Sequence, residues 1–148
     1  MPESQTIERA RRDKREVKSP STQAGEFVRE EFHHIREGKH GARSSKQAIA
    51  IGLSKARRAG VNLSAPRTGS AKIQRQAKRD SARGQSKAVQ SPAPKRSRAT
   101  LTALQHEGRN AGSHRAISRQ VHRSAMNRSG AARSASAQKA AAPRKAKP

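Results

Sequence analysis

Large apolar residues recur at helical spacing near the start of this chain, and the pattern predicts two adjacent helices. The first runs from about Thr22 to Glu37, and one face of it carries Ala24, Phe27, Val28, Phe32 and Ile35. Gly38 is placed as its C-terminal cap, because glycine adopts the left-handed conformation that ends many helices. This segment is therefore predicted to be an amphipathic helix with a sharp end.

The second helix has a clear N-terminal signal, in which Ser44 stands three residues before Gln47 in a capping-box arrangement. It is predicted to run to Ala59. Ala48, Gly52 and Ala56 lie four residues apart and form a groove of small side chains. A glycine inside a helix costs about 1 kcal/mol relative to alanine, so we expect another helix backbone to approach closely there.

The two helices are predicted to form an antiparallel αα-hairpin over residues 19–66. Two helices of this length bury little surface. We therefore expect a third helix at about Ser4–Val17, within a charged arm of residues 1–18, or a homodimer formed through the hairpin.

The remaining residues, 67–148, carry few large apolar side chains: seven follow Leu63, against nine between Phe27 and Leu63. Helical patterns occur at 70–83, 99–107 and 113–128, but ordering a residue costs roughly 1–2 kcal/mol. The sequence thus predicts an all-α fold, without strands, in which a short hairpin precedes a long basic tail that is mostly disordered or nascent-helical.

Charged residues are distributed even more unevenly along the chain than apolar residues. Eight of the ten acidic residues lie at or before Glu37, where eight Lys and Arg balance them. From Gly38 onward only Asp80 and Glu107 oppose 26 basic residues, so the whole formal charge of +24 lies there. Such a segment repels itself and favours a polyanionic partner.

Phosphate neutralisation is the chemistry that this charge predicts, and double-stranded DNA is the expected partner. The basic region has no aromatic residues for base stacking and no Asn or Gln cluster for reading bases, so contacts should go mainly to the backbone. The candidate binding residues are Lys39, Arg43, Lys46, Lys55, Arg57, Arg58, Lys72, Arg75, Lys78, Arg79, Arg83, Lys95, Arg96, Arg98, Arg115, Arg119 and Arg123.

Two other function classes stay open. The chain has 22 Arg against 12 Lys, and arginine's planar, bidentate donors suit RNA, which favours an RNA- or ribosome-associated protein. Alternatively, Glu26, Glu30 and Glu37 of the first helix could dock a basic partner or the chain's own tail. That would make the hairpin a protein-interaction module.

Enzymatic and cofactor chemistry is not expected. There is no cysteine, and no nucleophile–base–orienter set is readable. His33 and His34 are adjacent and diverge by about 100° on a helix, so with His40 they predict no metal site. No apolar run could span a membrane, and the N-terminus has no signal-like apolar region. We expect a soluble cytoplasmic protein.

Two runs carry a family resemblance: QAGEFVREEFHHIREGKHGARSS, which begins at Gln23, and KQAIAIGLSKARRAG, from Lys46 to Gly60. Together they resemble a small domain of unknown function found in basic proteobacterial proteins, some of which are labelled plasmid stabilisation protein. The resemblance covers about Ser19 to Pro66 and implies a bacterial, nucleoid- or plasmid-associated setting. The Ala-, Lys- and Pro-rich tail is similar in composition to the tails of linker-histone-like proteins.

Overall fold

A computed structural model describes residues 2–86 and 93–141 of the chain, and within these ranges it contains helices and no strand. The helices are α1 Ser4–Arg15, α2 Pro20–Glu37, α3 Ser45–Arg58, α4 Ala71–Gln85, α5 Pro94–Gln105, a short 3-10 helix at Asn110–Gly112, α6 His114–Met126 and α7 Gly130–Ala141. The all-helical prediction is confirmed for the described residues.

The predicted hairpin is formed by α2 and α3. Helix α2 begins two residues earlier than expected, because Ser19 accepts a hydrogen bond from the backbone of Thr22 and Pro20 fits the first helical turn. Gly38 ends it with φ of 78°, as predicted. Ser44 caps α3 by accepting from the backbone N–H of Gln47 at 3.2 Å.

Gly52 is the point of closest approach between these two helices. A Cβ at this position would lie 2.7 Å from Cα of Val28, so only glycine lets the α2 backbone come this near. The predicted close approach of a second helix at Gly52 is therefore confirmed. The cost of a glycine within α3 is offset by this backbone contact.

The buried core consists of two small clusters on either side of this contact. One comprises Ala10, Ala24, Phe27, Ala56 and Val61, and joins α1, α2 and α3. The other comprises Phe32, Ile35, Ala42, Ala48 and Ala111, and joins the hairpin to the 3-10 helix. Helix α1 is thus the third helix that the hairpin requires, although it ends at Arg15 rather than Val17.

The predicted disordered tail is wrong for the described part of residues 67–148, which forms α4, α5, α6 and α7. Helix α4 starts at a Ser70 cap and packs on α3, burying Ala77 and Asp80. The backbone of Gly84 lies directly against the carbonyl of Arg57, where a Cβ would overlap it. Residues 87–92 and 142–148 of the predicted tail lie outside the described residues.

Backbone hydrogen bonds attach the next part of the tail to the hairpin loop. Gly41 N–H donates to the carbonyl of Leu104 at 2.8 Å, and Ala42 N–H to that of Gly108 at 3.1 Å. Ser45 donates its hydroxyl to the carbonyl of Ala111 at 2.7 Å. The number of large apolar side chains does not predict that this part of the chain is ordered, because backbone groups and alanines make the contacts.

Helices α5, α6 and α7 bury no residue of their own, although Ile117 of α6 packs against the second core cluster. Within the described residues, no helix combines the length and the apolar character needed to cross a membrane.

Substitution of Gly52 tests the backbone contact. We expect Gly52→Ala to lower the free energy of unfolding by about 1–3 kcal/mol, because the new methyl group displaces the α2 backbone. Gly25→Ala, in α2 with nothing within 4 Å of its Cβ position, should instead raise it by about 0.5–1 kcal/mol. Urea denaturation followed by circular dichroism measures both, and a Gly52→Ala protein as stable as the wild type would contradict the packing.

Candidate functional site

The basic residues predicted to bind nucleic acid are displayed on several separate elements. Of the 17 predicted residues, 15 are exposed, and the other two, Lys55 and Arg57, are half-buried and buried. Helix α4 carries Lys72, Arg75, Lys78, Arg79 and Arg83; α5 carries Lys95, Arg96 and Arg98; α6 carries Arg115, Arg119 and Arg123. The cations therefore form helical surfaces and not one continuous flexible chain.

Helix α6 presents the most regular of these surfaces. Ser113 caps the helix by accepting from the backbone of Ala116. Arg115, Arg119 and Arg123 then follow at intervals of one turn, about 6 Å apart along the axis, and all three are exposed. None of them forms an ion pair within the described residues, so this row is free to meet external anions.

Arg57 and Arg58, two of the predicted binding residues, already have partners within the protein. Arg58 lies 3.4 Å from Asp80, which is 4% exposed and also accepts a hydrogen bond from Ser54 at 2.6 Å. Arg57 donates to the carbonyl of Ser64 at 3.1 Å. These arginines join α3 to α4 and to the segment between them, and their contacts serve the fold.

Lys39 bridges the start of α1 and the end of α2. Its ammonium group lies 3.0 Å from Glu37 and 3.1 Å from Glu3. The hydrogen bonds to Glu37 and Glu3 raise the pKa of Lys39 above its usual range. The same contact with Lys39 lowers the pKa of Glu37.

A second polar cluster lies inside the protein, around Glu31 of α2, whose side chain is 1% exposed. Lys55 of α3 places its ammonium nitrogen 2.7 Å from Oε2, and His40 places Nε2 3.1 Å from Oε1. Both distances fit ion pairs, yet neither carboxylate oxygen has a donor in hydrogen-bond geometry within the described residues. Neighbouring Glu30 accepts from the backbone N–H of Glu3 at 3.1 Å and pairs with Lys55 at 3.3 Å.

His34 and His40 converge on Glu31, whereas His33 diverges from His34, as their adjacency on a helix predicts. One potential ligand atom from each of these three residues lies within 4.8 Å of the others. Glu31 was not among the residues that the sequence indicated for this cluster. Its position three residues before His34 places both side chains on one face of α2, and this spacing could have indicated the pair. His33 faces elsewhere and pairs with Glu37 at 2.8 Å.

The ion pairs of Glu3 predict a specific dependence on pH. A hydrogen bond with His34, followed by the contacts with Lys39, lowers the pKa of Glu3 from 4.5 to about 2. Because the folded-state pKa is depressed, the stabilisation is complete above pH 4.5 and is lost as pH falls towards 2. We therefore expect the difference in unfolding free energy between wild type and Glu3→Gln to shrink over that range.

Urea denaturation at a series of pH values measures this difference. Glu8→Gln is the matched control, since Glu8 is an exposed carboxylate of α1, the helix that follows Glu3, and forms no ion pair within the described residues. A difference for Glu3→Gln that stays constant down to pH 2 would contradict the assignment.

Comparison with known proteins places the hairpin in context. No curated protein and no solved structure matches this chain. Residues 18–68 match the model of a family of unknown function, DUF6496. The matched range contains α2, α3 and the cations between them, and it ends before α4. The predicted resemblance to a domain of unknown function is thus confirmed for the hairpin, which is similar to DUF6496.

Proposed function

We propose that this protein is a non-enzymatic, largely sequence-independent DNA-binding protein that acts by neutralising phosphates. The observation that carries the proposal is the imbalance between exposed cations and available carboxylates. After Glu37, 22 of the 26 basic residues lie within the described ranges, and ion pairs there engage only Lys39, Lys55 and Arg58. Arg57 is buried and donates to the carbonyl of Ser64, and the remaining 18 are exposed and available to an external polyanion.

The helical structure of α4 and α6 supports binding to the phosphate backbone of a DNA duplex. A helix holds its basic side chains at fixed intervals, so α4 and α6 present charge without first having to fold. The described surfaces of both helices carry basic residues together with exposed Ile73, Val121 and Met126, and neither helix has a Phe, Tyr or Trp for base stacking. Contacts of this kind fix position on the backbone and carry little base information.

The acidic residues of α2 give less support to a protein-docking function. Glu26 pairs with Arg9 at 2.6 Å, Glu30 with Lys55, and Glu37 with Lys39 and His33. Glu26 and Glu30 join α2 to α1 and α3, and Glu37 is paired at the end of α2, so none of the three is left over for an external basic partner. The proposal therefore places the hairpin as the ordered support and the helices after it as the binding surface.

The cellular setting is part of the proposal. The resemblance of the hairpin to domains of basic proteobacterial proteins, some labelled plasmid stabilisation protein, suggests a nucleoid- or plasmid-associated role in a bacterial cytoplasm. A protein that coats or bridges duplexes through their phosphates would suit that role. RNA presents the same backbone charge, so the experiment must compare the two polymers.

Filter binding of a DNA duplex across a salt series tests the proposal. We expect log affinity to fall linearly with log salt, and neutralising the α6 row with Arg115→Gln, Arg119→Gln and Arg123→Gln should reduce the slope by about 3, or roughly 0.9 per phosphate lost. The matched control is Arg11→Gln, Arg12→Gln and Arg15→Gln, which removes the same charge from α1.

Equal losses from α1 and α6 would mean that only net charge matters and would contradict a binding surface on the later helices. Absence of duplex binding at physiological salt would rule the proposal out. Competition between duplex DNA and structured RNA separates the alternatives, because a strong preference for RNA would replace DNA as the ligand.

Deletion of residues 130–148 provides an independent test. Helix α7 buries no residue, so the urea midpoint should remain unchanged, whereas the removal of five basic residues should weaken duplex binding and reduce the salt slope. A large loss of stability would show that α7 serves the fold. Unchanged affinity would remove this segment from the binding surface.

A further inference from the structure

We propose that Glu31, His34 and His40 form a binding site for one divalent transition-metal ion, with Zn²⁺ as the best fit. The site lies between α2 and the loop that follows it. It is independent of the proposed DNA binding, since none of its three ligands belongs to the exposed cationic surface.

The Glu31 carboxylate lies in an environment that favours a further cation. Its side chain is 1% exposed, and neither oxygen accepts a properly directed hydrogen bond from any described residue. The Lys55 ammonium, 2.7 Å from Oε2, compensates this buried charge only in part, because a buried carboxylate needs aligned donors as well as a nearby cation. Lys55 lies beside Oε2, so Oε1 is the oxygen left for another cation.

The side chain of His40 is 9% exposed and is oriented with one ring nitrogen towards Glu31. Nδ1 lies 3.0 Å from the carbonyl oxygen of Gly41, which can only accept, so Nδ1 carries a proton. In the neutral ring Nε2 then bears a lone pair, and it faces Oε1 of Glu31 at 3.1 Å. Two lone pairs at this distance repel each other unless a cation lies between them.

That distance suits a shared metal ion. Two ligands of one tetrahedral zinc, with bonds of about 2.0–2.1 Å, lie about 3.3 Å apart. The alternative is a protonated His40 that donates to Glu31, but the contact between them is not aligned as a hydrogen bond. A metal ion accounts for both the short separation and the missing alignment.

His34 supplies the third ligand and a supporting carboxylate. Its Nε2 lies 2.9 Å from Oε1 of Glu3, and donation of that proton leaves Nδ1 with a lone pair for metal. A carboxylate that holds the outer nitrogen of a metal-binding histidine is a common supporting arrangement. The rings of His34 and His40 meet edge to face at 5.9 Å, and the three ligand atoms, which lie within 4.8 Å of one another, would have to close to about 3.3 Å to share one ion.

The charge of the region favours a divalent ion. Four carboxylates, those of Glu3, Glu30, Glu31 and Glu37, are paired with only two ammonium groups, those of Lys39 and Lys55. With neutral histidines these groups leave two negative charges, of which Arg29 in the lining of the neighbouring cleft offsets one, so the region keeps a negative charge that attracts a cation. Two imidazole nitrogens with one carboxylate suit Zn²⁺, Ni²⁺ or Cu²⁺, whereas Mg²⁺ and Ca²⁺ prefer oxygen ligands throughout.

The site is reachable from solvent through a polar cleft of about 290 Å³, lined in part by Glu3, His34, Glu37 and Lys39. The His34 side chain is 13% exposed and forms the border between this cleft and the buried ligands. Three protein ligands would leave one coordination position of a tetrahedral ion for water.

Titration of the full-length, tag-free, chelator-treated protein with Zn²⁺ tests the proposal. Calorimetry should give one tight site per chain, and the midpoint of thermal unfolding should rise with Zn²⁺ concentration because the ion binds only the folded site. Co²⁺ should bind the same site and produce the visible absorption of a low-symmetry complex, while Mg²⁺ at the same concentration should change neither signal.

Variants separate this site from the other histidines. His34→Asn and His40→Asn should each weaken Zn²⁺ binding at least tenfold, and Glu3→Gln should weaken it about tenfold through the supporting hydrogen bond. His33→Asn is the matched control, because His33 neighbours the site but pairs with Glu37. It should bind Zn²⁺ as the wild type does.

Zn²⁺ affinity that is unchanged in His34→Asn, or absent from the wild type, would overturn the proposal. If His40→Asn does not fold, His34→Asn and the wild-type stoichiometry still decide, since His34 lies at the edge of the cluster. Loss of Zn²⁺ binding in His33→Asn equal to that in His34→Asn would assign the ion to a surface histidine pair and would also overturn it.

Discussion

The fold depends on two buried carboxylates of α2, Glu30 and Glu31, which collect donors and cations from the elements around them. Glu30 receives the backbone N–H of Glu3 at the start of α1, and Lys55 of α3 reaches both carboxylates. Removing one partner from a buried charge costs about 3–5 kcal/mol, far more than an exposed ion pair contributes. The position of α1 and α3 on α2 is therefore constrained by charge as well as by packing.

The hairpin was predictable because its signals are local. Ser44 and Gly38 mark helix ends through contacts within a few residues, and Gly52 marks a close approach because an uncompensated glycine inside a helix is costly. The order of the later segments was not predictable in this way. Their attachment depends on bare backbone at Gly84 and on hydrogen bonds such as that from Gly41 to Leu104, which leave no hydrophobic pattern in the sequence.

The two candidate sites also differ in how far the sequence predicts them. Exposure of the cations on α4 and α6 follows from composition, since so few carboxylates are available to cover them. The Glu31 cluster joins residues from positions 3 to 55, and their meeting depends on how α1 and α3 dock on α2. Sequence spacing could indicate only one pair of it, Glu31 and His34, and the burial that makes the cluster chemically distinctive appears only in three dimensions.

Helix α7 has a mechanical consequence. Its 12 residues bury nothing, and an isolated helix of that length is only marginally stable in water. As a helix it spans about 18 Å, and as an extended strand of chain it would span about 40 Å. Because α7 buries nothing, a change in its span of about twofold would leave the packing of the core helices unaltered.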